Sequence, residues 1–307
     1  MWKYVLFFLA IRTLGRLPVR VSYFIAARLA DLVYVCHKGL RQRVWANMRH
    51  VLGADAGKRR LRQVAREVLR NAARYYVDLM RIPYLDVEDF RRYKLRYHGH
   101  EENLVPALAS GRGVILAGGH LGSPELALQA LLSVGIRVLA LTEPLRPQAL
   151  SRLVDGLRSS QGHIFLPVNI SSVKAAIRTI KAGGAVGLMC DRDIEGRSIT
   201  IPLCGVQTKV PVGAVELAMR TGAIIIPIFA HRVGGDRFEA YMEPPVEMVG
   251  TGDSEADLRT NVARLLACFE EHLRRTPGQW IVLESVWEDG TNGSRPSSQP
   301  WAVGRKP

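Results

Sequence analysis

From Gly113 onward, short aliphatic and β-branched runs recur at intervals filled by helical spacing, and this alternation constrains the fold more than any other feature of the chain. The runs cover residues 114–117, 138–142, 164–167, 185–190 and 223–230. They read as strands, and strands that alternate with helices predict an α/β fold, a mostly parallel central sheet flanked by helices. Helix signals fall between them. Pro124 follows Ser123, Ser171 and Ser172 precede Val173, Pro211 precedes a Leu/Ala run, and Gly222 closes that run. A last long helix is predicted from Glu255 to Arg275.

The chain divides into a helical region over residues 1–85, an α/β core over 86–289 and a tail over 290–307. In the first region Leu17-Pro18 and Gly53 break the helices, and the basic stretch Lys38 to Arg49 is placed between two of them. The tail, rich in Gly, Ser, Pro and Asn, cannot bury enough apolar surface to offset its ordering entropy and is predicted to be disordered. The apolar run from Tyr4 to Ile11 is far shorter than the roughly 20 residues a membrane-spanning helix needs. Trp2, Tyr4, Phe7 and Phe8, followed by Tyr23, Phe24, Leu29, Leu32 and Val33, instead suit helices lying in the headgroup region of a bilayer. A buried helical hairpin is the alternative.

Lys and Arg outnumber Asp and Glu by 42 to 28, a formal charge of +14, so the surface attracts polyanions. Nucleic acid, anionic lipid and phosphorylated cofactors all qualify. No helix-turn-helix, RRM or zinc-finger pattern is present, so nucleic acid is not the expected partner, although a non-catalytic basic binding protein stays open as a reading. The run Lys38, Arg41, Arg43, Arg49, Lys58, Arg59 and Arg60 is either a solvated face or a contact for anionic lipid. Cys36, Cys190, Cys204 and Cys268 form no CxxC pair, which points to a reduced, intracellular protein without a zinc ribbon.

The decisive stretch runs from Val114 to Glu125. A buried strand ends at Gly118-Gly119, a turn presents His120, and a helix begins at Ser123-Pro124. Ligands of open α/β sheets bind at that strand edge, and the glycines are read as letting a substrate approach closely. Glu125, five residues after His120, is the expected hydrogen-bond partner that fixes the imidazole tautomer. No G-x-S-x-G elbow occurs, so the acceptor's own hydroxyl is the expected nucleophile, with no covalent intermediate and no metal. Asp191 and Asp193 follow the run 185–190 and reach the same edge as His120 and Glu143, with Arg192 beside them. The cluster Leu126, Leu128, Leu131 and Leu132 is read mostly as helix core.

His120 and Glu125 also reproduce the H-x4-[D/E] signature of glycerolipid and lipid A-type acyltransferases. Further stretches follow in order: 141–150 (LTEPLRPQAL), 157–162 (LRSSQG), 188–193 (LMCDRD), 211–223 (PVGAVELAMRTGA), with Arg43, Asn47, Gln279 and Trp280 in support. Over residues 1–285 the chain resembles the bacterial lipid A biosynthesis acyltransferases, and within them the phosphatidylinositol mannoside branch. The resemblance implies a glycerolipid acyltransferase-like fold on the cytoplasmic face of the inner membrane. It implies a glycolipid acceptor and an acyl-CoA or acyl carrier protein donor, with no other cofactor. His120 would be the base, Glu125 its partner, Asp191 a second acid facing the groove, and Arg158 a ligand for the donor or acceptor head group; Glu143 and Arg192, at the same strand edge, are read as further substrate contacts. In the mannoside branch the Asp191 position is usually Glu and the Glu125 position usually Asp, so this chain departs at both. A glycerophosphate or lysophospholipid acyltransferase is the nearest competing function.

Overall fold

The computed structural model describes residues 11, 13–53, 55–192 and 197–287. Helices α1 (Val19–Cys36), α2 (Lys38–Leu52), α3 (Lys58–Arg81) and α4 (Val87–Tyr93) lead. Then come β1 (Leu95–His98), α5 (Val105–Ala109), β2 (Val114–Gly118), α6 (Pro124–Gln129), β3 (Val138–Thr142), α7 (Gln148–Ser159), β4 (Ile164–Pro167), α8 (Ile170–Lys181) and β5 (Ala185–Met189). A hairpin of β6 (Ser198–Leu203) and β7 (Val206–Pro211) precedes α9 (Gly213–Thr221), β8 (Ile224–Gly234), β9 (Arg237–Met242) and α10 (Ser254–Arg275).

The predicted strands all form, and their sheet has the order β1-β9-β8-β2-β5-β3-β4. Pairing is parallel except between β8 and β9, so β1 and β9 run against the other strands. The chain leaves β2 for β3 and β4, then returns to insert β5 beside β2. Later it places β8 on the opposite side of β2. A crevice opens at the carboxyl ends of strands where connections depart in both directions, which is where such sheets bind ligands.

Helices cover both faces of the sheet. Ile115 and Ala117 of β2 join a core with Val64 and Val68 of α3, Ala176 of α8, Val215 of α9 and Phe269 of α10. Val114 and Leu116 face the other way, onto Leu104, Ala107 and Leu131. Because Val44, Met48, Val64 and Ala65 belong to the first of these cores, α2 and α3 are packed onto the sheet and share its interior.

Several local expectations are corrected. The stretch from Lys38 is itself helix α2, started by the His37 ring accepting from the Leu40 amide at 3.1 Å. Asn169 caps α8, two residues before the expected serine. Its side chain accepts from the Ser172 amide at 3.0 Å, and the Ser172 hydroxyl accepts from its amide at 2.9 Å, a reciprocal capping box. Pro211 ends β7 rather than opening a helix. Gly222 closes α9 at φ +75°, as read from the sequence.

Trp2, Tyr4, Phe7 and Phe8 and the tail over 290–307 lie outside the described residues. Within α1 the amphipathic pattern divides. Tyr23 is buried, whereas Phe24, Leu32 and Val35 are 65%, 60% and 70% exposed, with Leu29 and Val33 beside them. Among the described residues no helix is long and apolar enough to cross a membrane.

Candidate active site

Strand register builds the centre of the site. Gly118 of β2 pairs with Met189 of β5, and the Cys190 amide donates to the Gly118 carbonyl at 2.8 Å. Two residues further on each parallel strand stand His120 and Asp191, so the pairing itself brings them side by side. His120 Nδ1 lies 2.8 Å from Asp191 Oδ1, and the His120 amide donates to Asp191 Oδ2 at 3.0 Å. Trp280 Nε1 also donates to Oδ2, at 2.8 Å. Asp191 and Trp280 are completely buried.

Burial alone would raise the Asp191 pKa, but the charge and hydrogen bond of His120 and the bond from Trp280 outweigh it and hold the carboxyl down to about 2. An ionised carboxylate only accepts, so Nδ1 of His120 carries the hydrogen. Nε2 is then left as a lone pair, and it has no hydrogen-bond partner among the described residues. His120 lines a cavity of about 1800 Å³. That nitrogen is therefore equipped to take a proton from something bound there.

Glu125 does not fill the role expected of it. It sits in the first turn of α6, which carries its carboxylate toward α3 and α7. Tyr75 Oη donates to Glu125 Oε1 at 2.6 Å, and Arg158 Nη2 donates to the same atom at 2.8 Å. No hydrogen bond joins it to His120. The orienting partner is Asp191, which stands behind the imidazole rather than facing the groove.

Arg158 is likewise committed. Its Nη2 serves Glu125 and Tyr75, and its Nη1 lies 3.5 Å from Asp155. Burial disfavours its charge, yet Tyr75 and Glu125 more than restore it and push its pKa up. Its two terminal nitrogens thus support Glu125, Tyr75 and Asp155, whereas its Nε is buried without a partner. Two atoms of the cluster are left over: Glu125 Oε2 and Arg158 Nε are buried without a partner, and both residues line the cavity. A lone buried carboxylate oxygen costs stability unless a donor reaches it, and a substrate hydroxyl would do so.

Arg192 bridges two loops at the cavity wall, with Nη2 2.6 Å from Glu143 and Nη1 2.7 Å from Glu284. His120, Glu125, Glu143, Arg158 and Arg192 thus surround one cavity, with Asp191 beneath it. Asp193 lies outside the described residues. Leu126 and Leu131 are core, whereas Leu128 lines the cavity wall.

The two glycines before His120 have different reasons. Gly118 lines the cavity. A Cβ on Gly119 would stand 2.4 Å from the Phe269 ring, so helix α10, not a substrate, demands that glycine.

Sequence reasoning missed the part played by the segment after α10. Besides the Trp280 indole bond, the Ile281 amide donates to the His120 carbonyl and the Gly122 amide to the Gln279 carbonyl, each at 2.9 Å. Buried Asn47 of α2 secures the same segment further on, donating to the Glu284 carbonyl at 2.6 Å and accepting from the Val286 amide at 3.1 Å. The only signal was the presence of Asn47 and Trp280 in the matched motifs.

Residues 1–289 match the family model described as bacterial lipid A biosynthesis acyltransferase. The chain belongs to that family. Proteins named phosphatidylinositol mannoside acyltransferase, from two strains of Mycobacterium tuberculosis, are each 26% identical to it over 298 residues, covering 96% of this chain and 90% of theirs. A protein of the same name from Mycolicibacterium smegmatis is 24% identical over 269 residues, covering 83% and 82%. As a member of an acyltransferase family the chain is an acyltransferase, and residues of the stretches 141–150, 157–162, 188–193 and 211–223 line the cavity together with His120.

Proposed function

We propose that the protein transfers a long fatty acyl chain from acyl-CoA or acyl carrier protein to a hydroxyl of a membrane glycolipid, a mannosylated phosphoinositide as the named relatives suggest. The observation that carries this reading is the His120–Asp191 pair, with a bare imidazole nitrogen on a cavity far larger than the ~300–1,000 Å³ of an ordinary small-molecule site. No Ser or Cys side chain hydrogen-bonds to His120 among the described residues, so the acceptor itself supplies the nucleophile. His120 Nε2 takes the proton of the acceptor hydroxyl as its oxygen attacks the thioester carbonyl carbon. The tetrahedral intermediate expels sulfur, and the imidazolium returns the proton to the leaving thiolate. Glu125 Oε2 accepts from a neighbouring hydroxyl of the polyol, which favours a sugar over a lone alcohol.

The test is transfer from radiolabelled palmitoyl-CoA into a total lipid extract, with products identified by mass. A labelled mannosylated phosphoinositide is the expected product. Labelled phosphatidic acid would replace the acceptor by lysophosphatidic acid, labelled lysophosphatidic acid would replace it by glycerophosphate, and absence of label with both palmitoyl-CoA and palmitoyl acyl carrier protein would overturn the reading.

The same proposal places the protein on the cytoplasmic face of the inner membrane, resting on α1. Phe24, Leu32 and Val35 expose apolar surface there while Arg20 and Arg28 supply positive charge. Burying Phe24 and Leu32 in a bilayer contributes about 1.5–3 kcal/mol each. The Phe24→Asp/Leu32→Asp variant is expected to stay behind when the wild type floats with vesicles containing anionic phospholipid. Equal flotation of both would remove α1 from the membrane contact.

A further inference from the structure

The cavity has two chemically different ends. Toward α3, α6 and α7 it presents Tyr75, Glu125 and Arg158, the polar groups suited to a polyol. Toward α8, α9 and the start of α10 an apolar strip of Val173, Ile177, Leu188, Ala214, Leu217 and Leu258 is flanked by polar and charged side chains. Helices α8 and α9 pack against each other, and each adds one cation to the lining, Lys174 from α8 and Arg220 from α9. Both are exposed, and among the described residues neither has an ion-pair or hydrogen-bond partner. The carboxylate nearest in sequence, Glu216, is already held by Arg197 at 2.5 Å. Glu255, in the first turn of α10, is the other acidic residue at this end. Ile170 and Met219 stand exposed on the same rim, 77% and 38%.

An apolar strip under two uncommitted cations is complementary to an amphiphile that carries a long chain and a phosphate. We infer that Lys174 and Arg220 bind phosphate of the acyl-thioester donor, so that the donor enters across the cavity rim formed by α8 and α9 while the polyol acceptor occupies the Tyr75–Glu125–Arg158 end. This inference rests on the acyl-transfer reading above. It follows from charge placement. At the Glu125 end the one arginine is neutralised by carboxylates at 2.8 and 3.5 Å, so the uncommitted positive charge of the lining lies on the α8–α9 rim. Arginine and lysine there can each give charge-assisted hydrogen bonds to phosphate oxygens.

The experiment compares wild type, Lys174→Ala/Arg220→Ala and the control Arg178→Ala/Lys181→Ala. The control removes two exposed charges of α8 that do not line the cavity. Donors are palmitoyl-CoA, palmitoyl-3′-dephospho-CoA and S-palmitoyl pantetheine, at saturating acceptor. Loss of two charge-assisted contacts is expected to raise the KM for palmitoyl-CoA about tenfold with kcat within about twofold, and to flatten its dependence on salt. The control should match the wild type. The gap between wild type and variant should shrink with the dephospho donor and vanish with the pantetheine thioester.

An unchanged donor KM, or an equal rise in the control, would overturn the inference. So would a rise confined to the acceptor KM, measured in parallel at saturating donor, which would assign the cations to the acceptor's own phosphate. Wild-type turnover in the same assay separates these outcomes from failure of the acyl-transfer reading, since that failure would leave no KM to measure.

Discussion

Asp191→Asn is expected to lower acyl transfer by about 10³-fold to 10⁴-fold, close to the effect of His120→Ala, with the fold retained. The size follows from hydrogen-bond polarity around one carboxylate. Asp191 Oδ2 receives two donors, the His120 amide and the Trp280 indole, whereas Oδ1 faces only the His120 ring. An asparagine can satisfy those two fixed donors only by turning its oxygen to the Oδ2 position, which aims its NH₂ at Nδ1. The ring must then accept at Nδ1 and carry its hydrogen on Nε2. A protonated Nε2 cannot act as a base, and no carboxylate is left to stabilise an imidazolium. Glu125→Gln should behave differently, since Glu125 does not touch His120; its main effect should fall on the acceptor KM. Steady-state kinetics on the three variants, with thermal melts to establish folding, decide the matter. An Asp191→Asn enzyme with wild-type kcat, or a Glu125→Gln enzyme as inactive as His120→Ala, would return the orienting role to Glu125.

The acid side of the pH profile carries a related expectation. A carboxyl held at about 2, below its ordinary 3.8, contributes stability that is complete above about pH 4 and lost as the pH falls toward 2. Any loss of activity on acidification above pH 4 therefore belongs to a group other than Asp191.

The parts of this molecule that were legible in the sequence are those set by local pattern. Buried parallel strands must be apolar on both faces, so β2, β3, β4, β5 and β8 announced themselves, as did Gly222, which alone suits the positive φ at the end of α9. The hairpin β6–β7 was missed although its signals are present. Ile201, Leu203, Thr208 and Val210 alternate inward, and Cys204-Gly205 turn with both φ positive, at 53° and 80°. The strands β1 and β9 were missed; β1 is only four residues long and joins the sheet through β9, which itself pairs with β8 as well.

The site divides in the same way. His120 was legible because glycine, histidine and a helix start occur within one turn. Its true partner was not, since sequence distance suggested Glu125 at five residues while the sheet register supplies Asp191 at 71. Trp280 and Asn47 act through contacts that only the folded chain creates.

Asp78→Ala is expected to cost about 3–5 kcal/mol of stability, the penalty for leaving a buried charge without its partner. For a chain of this size that corresponds to a fall in Tm on the order of 10 °C. Asp78 of α3 and Arg232 of β8 meet at 2.5 Å, with side chains 2% and 6% exposed, and Tyr23 of α1 donates to the same carboxylate. The guanidinium is stacked over the rings of Tyr23 and Phe238, 4.7 and 4.5 Å from their centroids. Without Asp78 its hydrogen-bond partners among the described residues would be the Tyr23 hydroxyl and the Gly235 carbonyl alone. The damage should reach catalysis, because Gln279 clasps the Arg232 backbone at both its amide and its carbonyl, at 2.7 and 2.8 Å, and also receives the Gly122 amide. The residue that fixes the turn after His120 thus rests on the strand that Asp78 anchors. The double variant Asp78→Leu/Arg232→Met removes both charges and should recover much of the lost stability, as replacing a whole buried ion pair by apolar groups commonly does. If the double variant unfolds at the same temperature as Asp78→Ala, the cost lies in packing and not in the stranded charge.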